Sequence, residues 1–181
     1  MRWMWIDRIV ELVPRERLVA IKNVSLAEEH LHDHFAPDRP GAANARPALP
    51  VMPACFILEG MAQSAGILVG HASKFEEKVI LAKISKAELT RDAGPGMTLR
   101  YTATIQRMDD VGASTAGVVE LMDHAHPSRG FVQIGAIDML FSHLDNNRGA
   151  AGSAGDAFPE HNFVFGDSFK TLLRTSGFPA D

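Results

Sequence analysis

Pro50-Val51-Met52-Pro53-Ala54-Cys55-Phe56-Ile57-Leu58-Glu59-Gly60-Met61-Ala62-Gln63, continuing to about Ala72, is the stretch that decides how this chain folds. It is longer than a typical strand and keeps apolar residues on nearly every side, so it reads as a buried helix from about Pro53 to about Ala72. At 1.5 Å per residue such a helix is roughly 30 Å long, enough to cross a small domain. Pro53 suits the first helical position, where its missing N–H would have been unpaired anyway. The N–H groups of Ala54 and Cys55 then point out of the helix start, where they favour negative charge. Glu59 and Gln63 are four residues apart and share one helix face. A carboxylate on an apolar helix is costly unless it is paired, protonated or functional, and no Lys or Arg occurs from Pro47 to Gly70. His34-Phe35 lies upstream and adds an imidazole. An acid, an imidazole and a helix-start anion site are the parts needed for acid–base chemistry next to a carbonyl.

Working outward, 181 residues suit one domain with an appendage, and a 46% hydrophobic content supports a real core. A net charge of −4 gives no electrostatic case for nucleic acid. The single cysteine, Cys55, excludes an intrachain disulfide and fits a reducing, cytoplasmic compartment. The first eight residues lack the apolar core and small-residue cleavage site of a signal peptide. The longest apolar stretch, roughly Pro53 to Val69, is interrupted by Glu59, Gln63 and Ser64, so no membrane span is expected.

Trp3 to Leu12 and Leu18 to Val24 read as strands joined by a turn at Pro14-Arg15-Glu16-Arg17. Ser25 with Glu28 three residues on makes a capping box for a short helix from Leu26 to about His30. Asp38 to Leu49 has loop composition. Four further strands are expected at Val79–Leu89, Met97–Arg107, Ala113–Met122 and Arg129–Leu144, punctuated by turns such as Gly94-Pro95-Gly96. Leu99, Tyr101, Ala103 and Ile105 alternate with Arg100, Thr102, Thr104 and Gln106, the signature of a half-buried antiparallel strand. Two strands, a long buried helix and consecutive strands imply an α+β domain over residues 1–144: one antiparallel sheet, strongly curved, wrapped around the helix. Residues 145–157 have flexible-linker composition, and residues 158–181 form a C-terminal tail that recovers aromatic residues. Asp167 is placed to cap a short helix from Ser168 to Thr175, ended by Gly177. On this reading the core strands end at Leu144, and truncation there is expected to leave the domain intact.

The run Ile6-Asp7-Arg8-Ile9-Val10-Glu11-Leu12, then Ile21-Lys22-Asn23-Val24-Ser25, then His34-Phe35 resembles the N-terminal part of β-hydroxyacyl-(acyl carrier protein) dehydratases. Pro50-Val51-Met52-Pro53 leading to Glu59 and Ala62-Gln63 resembles their active-site helix, and Ile84-Ser85-Lys86-Ala87-Glu88-Leu89 with Gly94-Pro95-Gly96-Met97 resembles the strand and turn that follow. The similarity runs from about Trp3 to Phe141. It implies the hotdog fold, in which a sheet wraps a central helix. It also implies a homodimer whose sites each take His34 from one subunit and Glu59 from the other, with further assembly as trimers of dimers. Three departures stand out. Residues 38–49 look like an insertion, Ala54 stands where the family has glycine, a substitution that is strained if the position needs positive φ, and Glu88 and Thr90 sit where the family commonly has basic residues, which weakens the case for docking an acidic carrier protein.

The implied reaction removes water from a 3-hydroxyacyl thioester on acyl carrier protein to give the trans-2-enoyl thioester, in fatty-acid or related acyl-chain biosynthesis. Histidine is the usual base near neutrality, which suits His34 for the α-proton. Glu59 would protonate the leaving hydroxyl, Gln63 would orient Glu59 or that hydroxyl, and the N–H of Ala54 or Cys55 would bind the enolate oxygen. The chemistry needs no metal or organic cofactor. His30, His32 and His34 invite a metal reading, but a helical start and the absence of further ligands nearby argue against it. Lys83, Lys86 and Arg91 read equally as a basic rim for a carrier protein and as ordinary solvated strand residues. Two alternatives remain: a dehydratase that also isomerises the new alkene, and a non-catalytic acyl-binding subunit of the same fold.

Overall fold

The protein is described here by a computed structural model covering residues 3–33, 36–39, 41, 43, 47–144, 162 and 164–179. Its elements are β1 (Arg8–Val13), β2 (Arg17–Asn23), α1 (Glu29–Asp33), α2 (Ala54–Ala72), β3 (Val79–Leu89), β4 (Met97–Met108), β5 (Gly112–Asp123), β6 (Val132–His143) and α3 (Asp167–Ser176). The strands form one sheet in the order β1-β2-β4-β5-β6-β3, antiparallel at every pairing. A six-stranded antiparallel sheet wrapped around α2 is the hotdog fold expected from the sequence.

The wrapping follows from side-chain pattern. On β4, Leu99, Tyr101 and Ala103 are fully buried beneath α2, while Arg100 and Thr102 between them stay partly exposed. α2 buries Ile57, Met61, Ile67, Leu68 and Val69. Helix and sheet approach so closely that some positions have no room for a β-carbon. One added to Gly60 would lie 2.6 Å from the Tyr101 ring and 2.9 Å from the Trp5 carbonyl, and one added to Gly117 would lie 2.6 Å from the Met61 sulfur.

Several boundaries differ from expectation. β1 starts at Arg8, not Trp3, because residues 3–6 leave the sheet and bond to α2 instead. α1 is shifted to Glu29–Asp33, although half of the expected capping box forms: the Ser25 N–H donates to the Glu28 carboxylate at 3.0 Å. Pro53 is the N-cap of α2 and not its first helical residue. β6 starts at Val132, after a 3-10 turn at Pro127–Arg129. Asp167 opens α3 without capping it, and Gly177 ends it in the left-handed conformation at φ 88°. The expected linker, residues 145–157, and positions 40, 42 and 44–46 of the expected 38–49 insertion lie outside the described residues. Among the described residues no helix is long and apolar enough to cross a membrane.

The C-terminal tail packs into the core. The Asn162 side chain donates to the carbonyls of Phe75 and Glu77 at 2.9 and 3.0 Å. The Phe165 ring lies on Gly70 of α2, where no β-carbon would fit, and meets Phe75 edge-on. Leu172 and Leu173 of α3 are 6% and 2% exposed. The Ser176 hydroxyl accepts the N–H of Ile9 on β1 at 3.0 Å, so α3 reaches the opposite edge of the sheet. α2 is therefore covered on its C-terminal half by its own chain.

Truncation after Leu144, harmless on the sequence reading, is accordingly expected to expose the C-terminal half of α2 and lower Tm sharply. Leu173→Ala should by itself remove about 2–5 kcal/mol, the range for a buried leucine, measured by denaturant unfolding.

Candidate active site

The entry to α2 is fixed by its surroundings. The Met52 N–H donates to the Ala93 carbonyl at 2.8 Å, and the Met52 side chain is 2% exposed. Pro53 caps the helix, and the Phe56 N–H turns back to its carbonyl at 2.9 Å. Ala54 and Cys55 stay exposed at the helix start, and their N–H groups are the leading donors that a helix cannot satisfy internally. Among the described residues positive φ at non-glycine positions occurs at Arg15, Lys74 and Phe75. Ala54 thus occupies its place without the strain that a missing glycine would have threatened.

An aromatic cluster holds the first turn of α2. Phe56 stacks on Trp5 with ring centroids 3.9 Å apart, and His30 of α1 meets both rings edge-on at 5.1 and 5.2 Å. Leu31, one residue on, is 4% exposed. α1, which directly precedes His34 in the sequence, is thereby packed against the start of α2. His34 itself lies outside the described residues.

Glu59 and Gln63 are brought together as their spacing requires. Gln63 is 6% exposed and uses its whole carboxamide. Its Oε1 accepts the Trp5 N–H at 2.9 Å, and its Nε2 donates to the Trp3 carbonyl at 2.8 Å and to Glu59 Oε1 at 2.9 Å. The N-terminal segment therefore fixes which way the amide faces, and the amide aims the half-buried carboxylate. Glu59 opens onto an apolar groove of about 240 Å³ that runs along α2 past Gly66 and Ile67 to Phe165 and Phe169.

Ala54 lines a different hollow of about 250 Å³, together with Met52, Ile57, Thr90 and Arg91. The separation is geometric. Residues 54 and 59 lie about 140° apart around a helix of 3.6 residues per turn. One chain thus carries the carboxylate and the helix-start donors on different faces of α2.

Two contributors were not read from the sequence. One is the main chain of Trp3 and Trp5, since a backbone partner for Gln63 leaves no side-chain signal. The other is Tyr101, whose ring occupies the space over Gly60, the residue that follows Glu59 in α2. Its hydroxyl is buried with no partner among the described residues, and burial pushes its acidity far down. The signal was Gly60 itself: a glycine inside a helical pattern usually has a packing reason.

The wrapped central helix defines the molecule as a hotdog-fold protein. Residues 2–124 match the family model described as FabA-like domain, and the chain belongs to that family. A curated relative from Alkalilimnicola ehrlichii, 3-hydroxyacyl-(acyl-carrier-protein) dehydratase FabZ, is 38% identical over 57% of this chain and 62% of its own length. A relative of the same name from Oenococcus oeni is 32% identical over 62% of this chain and 75% of its own. The chain thus spans somewhat under two thirds of the first relative's length. Among solved structures, the dehydratase heterocomplex ApeI:P from Xenorhabdus doucetiae superposes with a TM-score of 0.56 at 14% identity, covering 78% of this chain and 83% of that one. The α3 tail lies beyond the residues matched by the family model.

Two sets of variants test the site. Gly60→Ala should destabilise by about 1–3 kcal/mol through overpacking despite better helix propensity, whereas Tyr101→Phe, which removes an unpaired hydroxyl, should hold or raise Tm. Gln63→Leu leaves the Trp5 N–H and Trp3 carbonyl without their partner. Since Trp3 and Trp5 are the two tryptophans of the chain, their fluorescence should report release of the N-terminal segment, with a loss of about 1–3 kcal/mol.

Proposed function

We propose that this protein removes water from a 3-hydroxyacyl thioester on acyl carrier protein, giving the trans-2-enoyl thioester in fatty-acid or related acyl-chain biosynthesis. The observation that carries the proposal is Glu59, held by Gln63 at the mouth of an apolar groove, in a chain of the FabA-like family. The curated relatives named FabZ support the same substrate class.

In this reading His34 takes the α-proton, made acidic by the thioester carbonyl. The electron pair moves toward that carbonyl, and the enolate oxygen is stabilised by the N–H groups of Ala54 and Cys55 at the helix start. Collapse of the enolate expels the 3-hydroxyl, which leaves as water with a proton from Glu59. Gln63 keeps Glu59 directed at that hydroxyl. Arg91, exposed beside Ala54, suits the phosphate of a carrier-bound pantetheine arm.

The active unit in this proposal is a homodimer, with trimers of dimers as its further assembly. Two observations support it. The carboxylate and the helix-start donors face different hollows of one chain, so a second copy is needed to bring a complementary set to each site. β3 is an eleven-residue edge strand, exposed from Leu81 to Glu88, and among the described residues no strand pairs with its outer ladder, which suits it to take a copy of itself. The proposal includes a cytoplasmic location alongside the carrier protein.

The test is subunit complementation. His34→Ala and Glu59→Gln should each lose about 10²-fold or more of alkene formation, followed by ultraviolet absorbance. Mixed under demonstrated subunit exchange, the two inactive proteins should recover activity by forming some wild-type sites. Absence of recovery rejects the shared site, and wild-type protein inactive on every carrier-bound 3-hydroxyacyl chain rejects the enzyme.

A further inference from the structure

The groove that starts at Glu59 is a partly open trough between α2 and the first residues of β3. It follows α2 past Ala62, Gly66 and Ile67, and its far end is formed by Val164, Phe165 and Phe169 of the C-terminal tail. We infer that the tail is a chain-length stop: the groove takes the acyl chain of the substrate, and the rings of Phe165 and Phe169 end it at roughly ten carbons. This rests on the dehydratase reading above and adds a specificity that none of the matched relatives' names carries.

The argument is one of continuity and size. The groove has a carboxylate with its aiming carboxamide at one end and apolar side chains beyond, as a thioester head and hydrocarbon tail require. Glu59 and Ile67 are eight residues apart, about 12 Å along the helix, the reach of roughly nine carbons in an extended zigzag. The volume of about 240 Å³ gives a similar figure, since it holds roughly eight groups of water or methylene size.

The stop is built to resist displacement. The Phe165 ring is 6% exposed and lies where a β-carbon on Gly70 would be. Asn162 ties the approach to it by accepting the N–H of Val164 at 3.1 Å while donating to the carbonyls of Phe75 and Glu77. Phe169 stands edge-on to Phe165 at 5.9 Å, and Leu172 and Leu173 anchor the helix that carries it. Gly66 sets the width midway. A β-carbon there would meet Phe141 at 3.6 Å, an ordinary contact, so position 66 accepts a side chain at its base while lining the groove.

The experiment uses the full chain and a ladder of 3-hydroxyacyl pantetheine thioesters from about four to about sixteen carbons, with kcat/KM read at each length. Wild-type values should fall steeply beyond about ten carbons. Phe169→Ala lengthens the groove and should raise the ratio of twelve-carbon to six-carbon kcat/KM about tenfold, the effect of one or two extra buried methylenes. Gly66→Leu adds bulk instead of removing it and should move the cutoff the other way. A parallel ladder of saturated acyl pantetheine thioesters, with binding followed by calorimetry, needs no turnover. If turnover is absent but binding shows the cutoff and both shifts, the dehydratase reading falls and the chain-length stop stands. Long chains accepted as well as short ones by wild type, or folded variants that leave both ladders unchanged, would overturn the inference.

Discussion

An α-helix that is apolar on nearly every side has to be hidden from water on nearly every side, and most of this structure answers that requirement. α2 gains one wall from the curved sheet, with β4 supplying Leu99, Tyr101 and Ala103 beneath it. A sheet alone cannot close around a helix, and the remaining flank is met by the C-terminal tail, with Phe165 over Gly70 and Leu172 and Leu173 in the same core. The burial is tight enough that glycine is required where backbone meets ring, as at Gly60 under Tyr101 and Gly70 under Phe165. Close packing of this kind makes the helix a stiff support, which the acid role proposed for Glu59 needs.

Burial also decides the fate of the polar groups that α2 carries. Ser64 turns its hydroxyl back to the Gly60 carbonyl at 2.8 Å. Gln63 finds its partners in the main chain of residues 3–5, which leave the sheet to reach it. Glu59 is the charged residue of the helix, and it sits where the wrapping is incomplete, at the mouth of the groove. One constraint therefore accounts for both the fold and the place where chemistry is possible. The acid stands at the boundary between apolar interior and access, with a neighbouring amide already saturated and unable to swing away.

The tail has a double part in this arrangement. It belongs to the core energetically, and in the inference drawn above it also ends the groove that opens at Glu59. Elements outside a family's shared domain often tune specificity because they can change without disturbing the catalytic frame. Here the dependence is stronger, since the residues at the end of the groove are continuous with those that bury the helix.

The sequence by itself determined the elements and their chemistry: strand alternation in β4, the long apolar helix, and Glu59 and Gln63 one turn apart on it. These are local properties, set by backbone period and side-chain polarity. It also carried the family, through blocks of residues around Pro50-Val51-Met52-Pro53 and Glu59. Tertiary structure alone decided where residues 3–6 go, since a strand-like composition is equally content to pack on a helix that offers a buried carboxamide. It decided that Ala54 is unstrained, because φ depends on how the chain enters α2. It decided that the tail is core, since Phe165, Leu172 and Leu173 become buried only where α2 leaves an open flank. And it decided which elements cover each face of α2, so that the angle between residues 54 and 59, already set by their spacing, opens onto two different hollows. Contacts between segments far apart in the chain leave no period to read, and so they become visible only once the chain has folded.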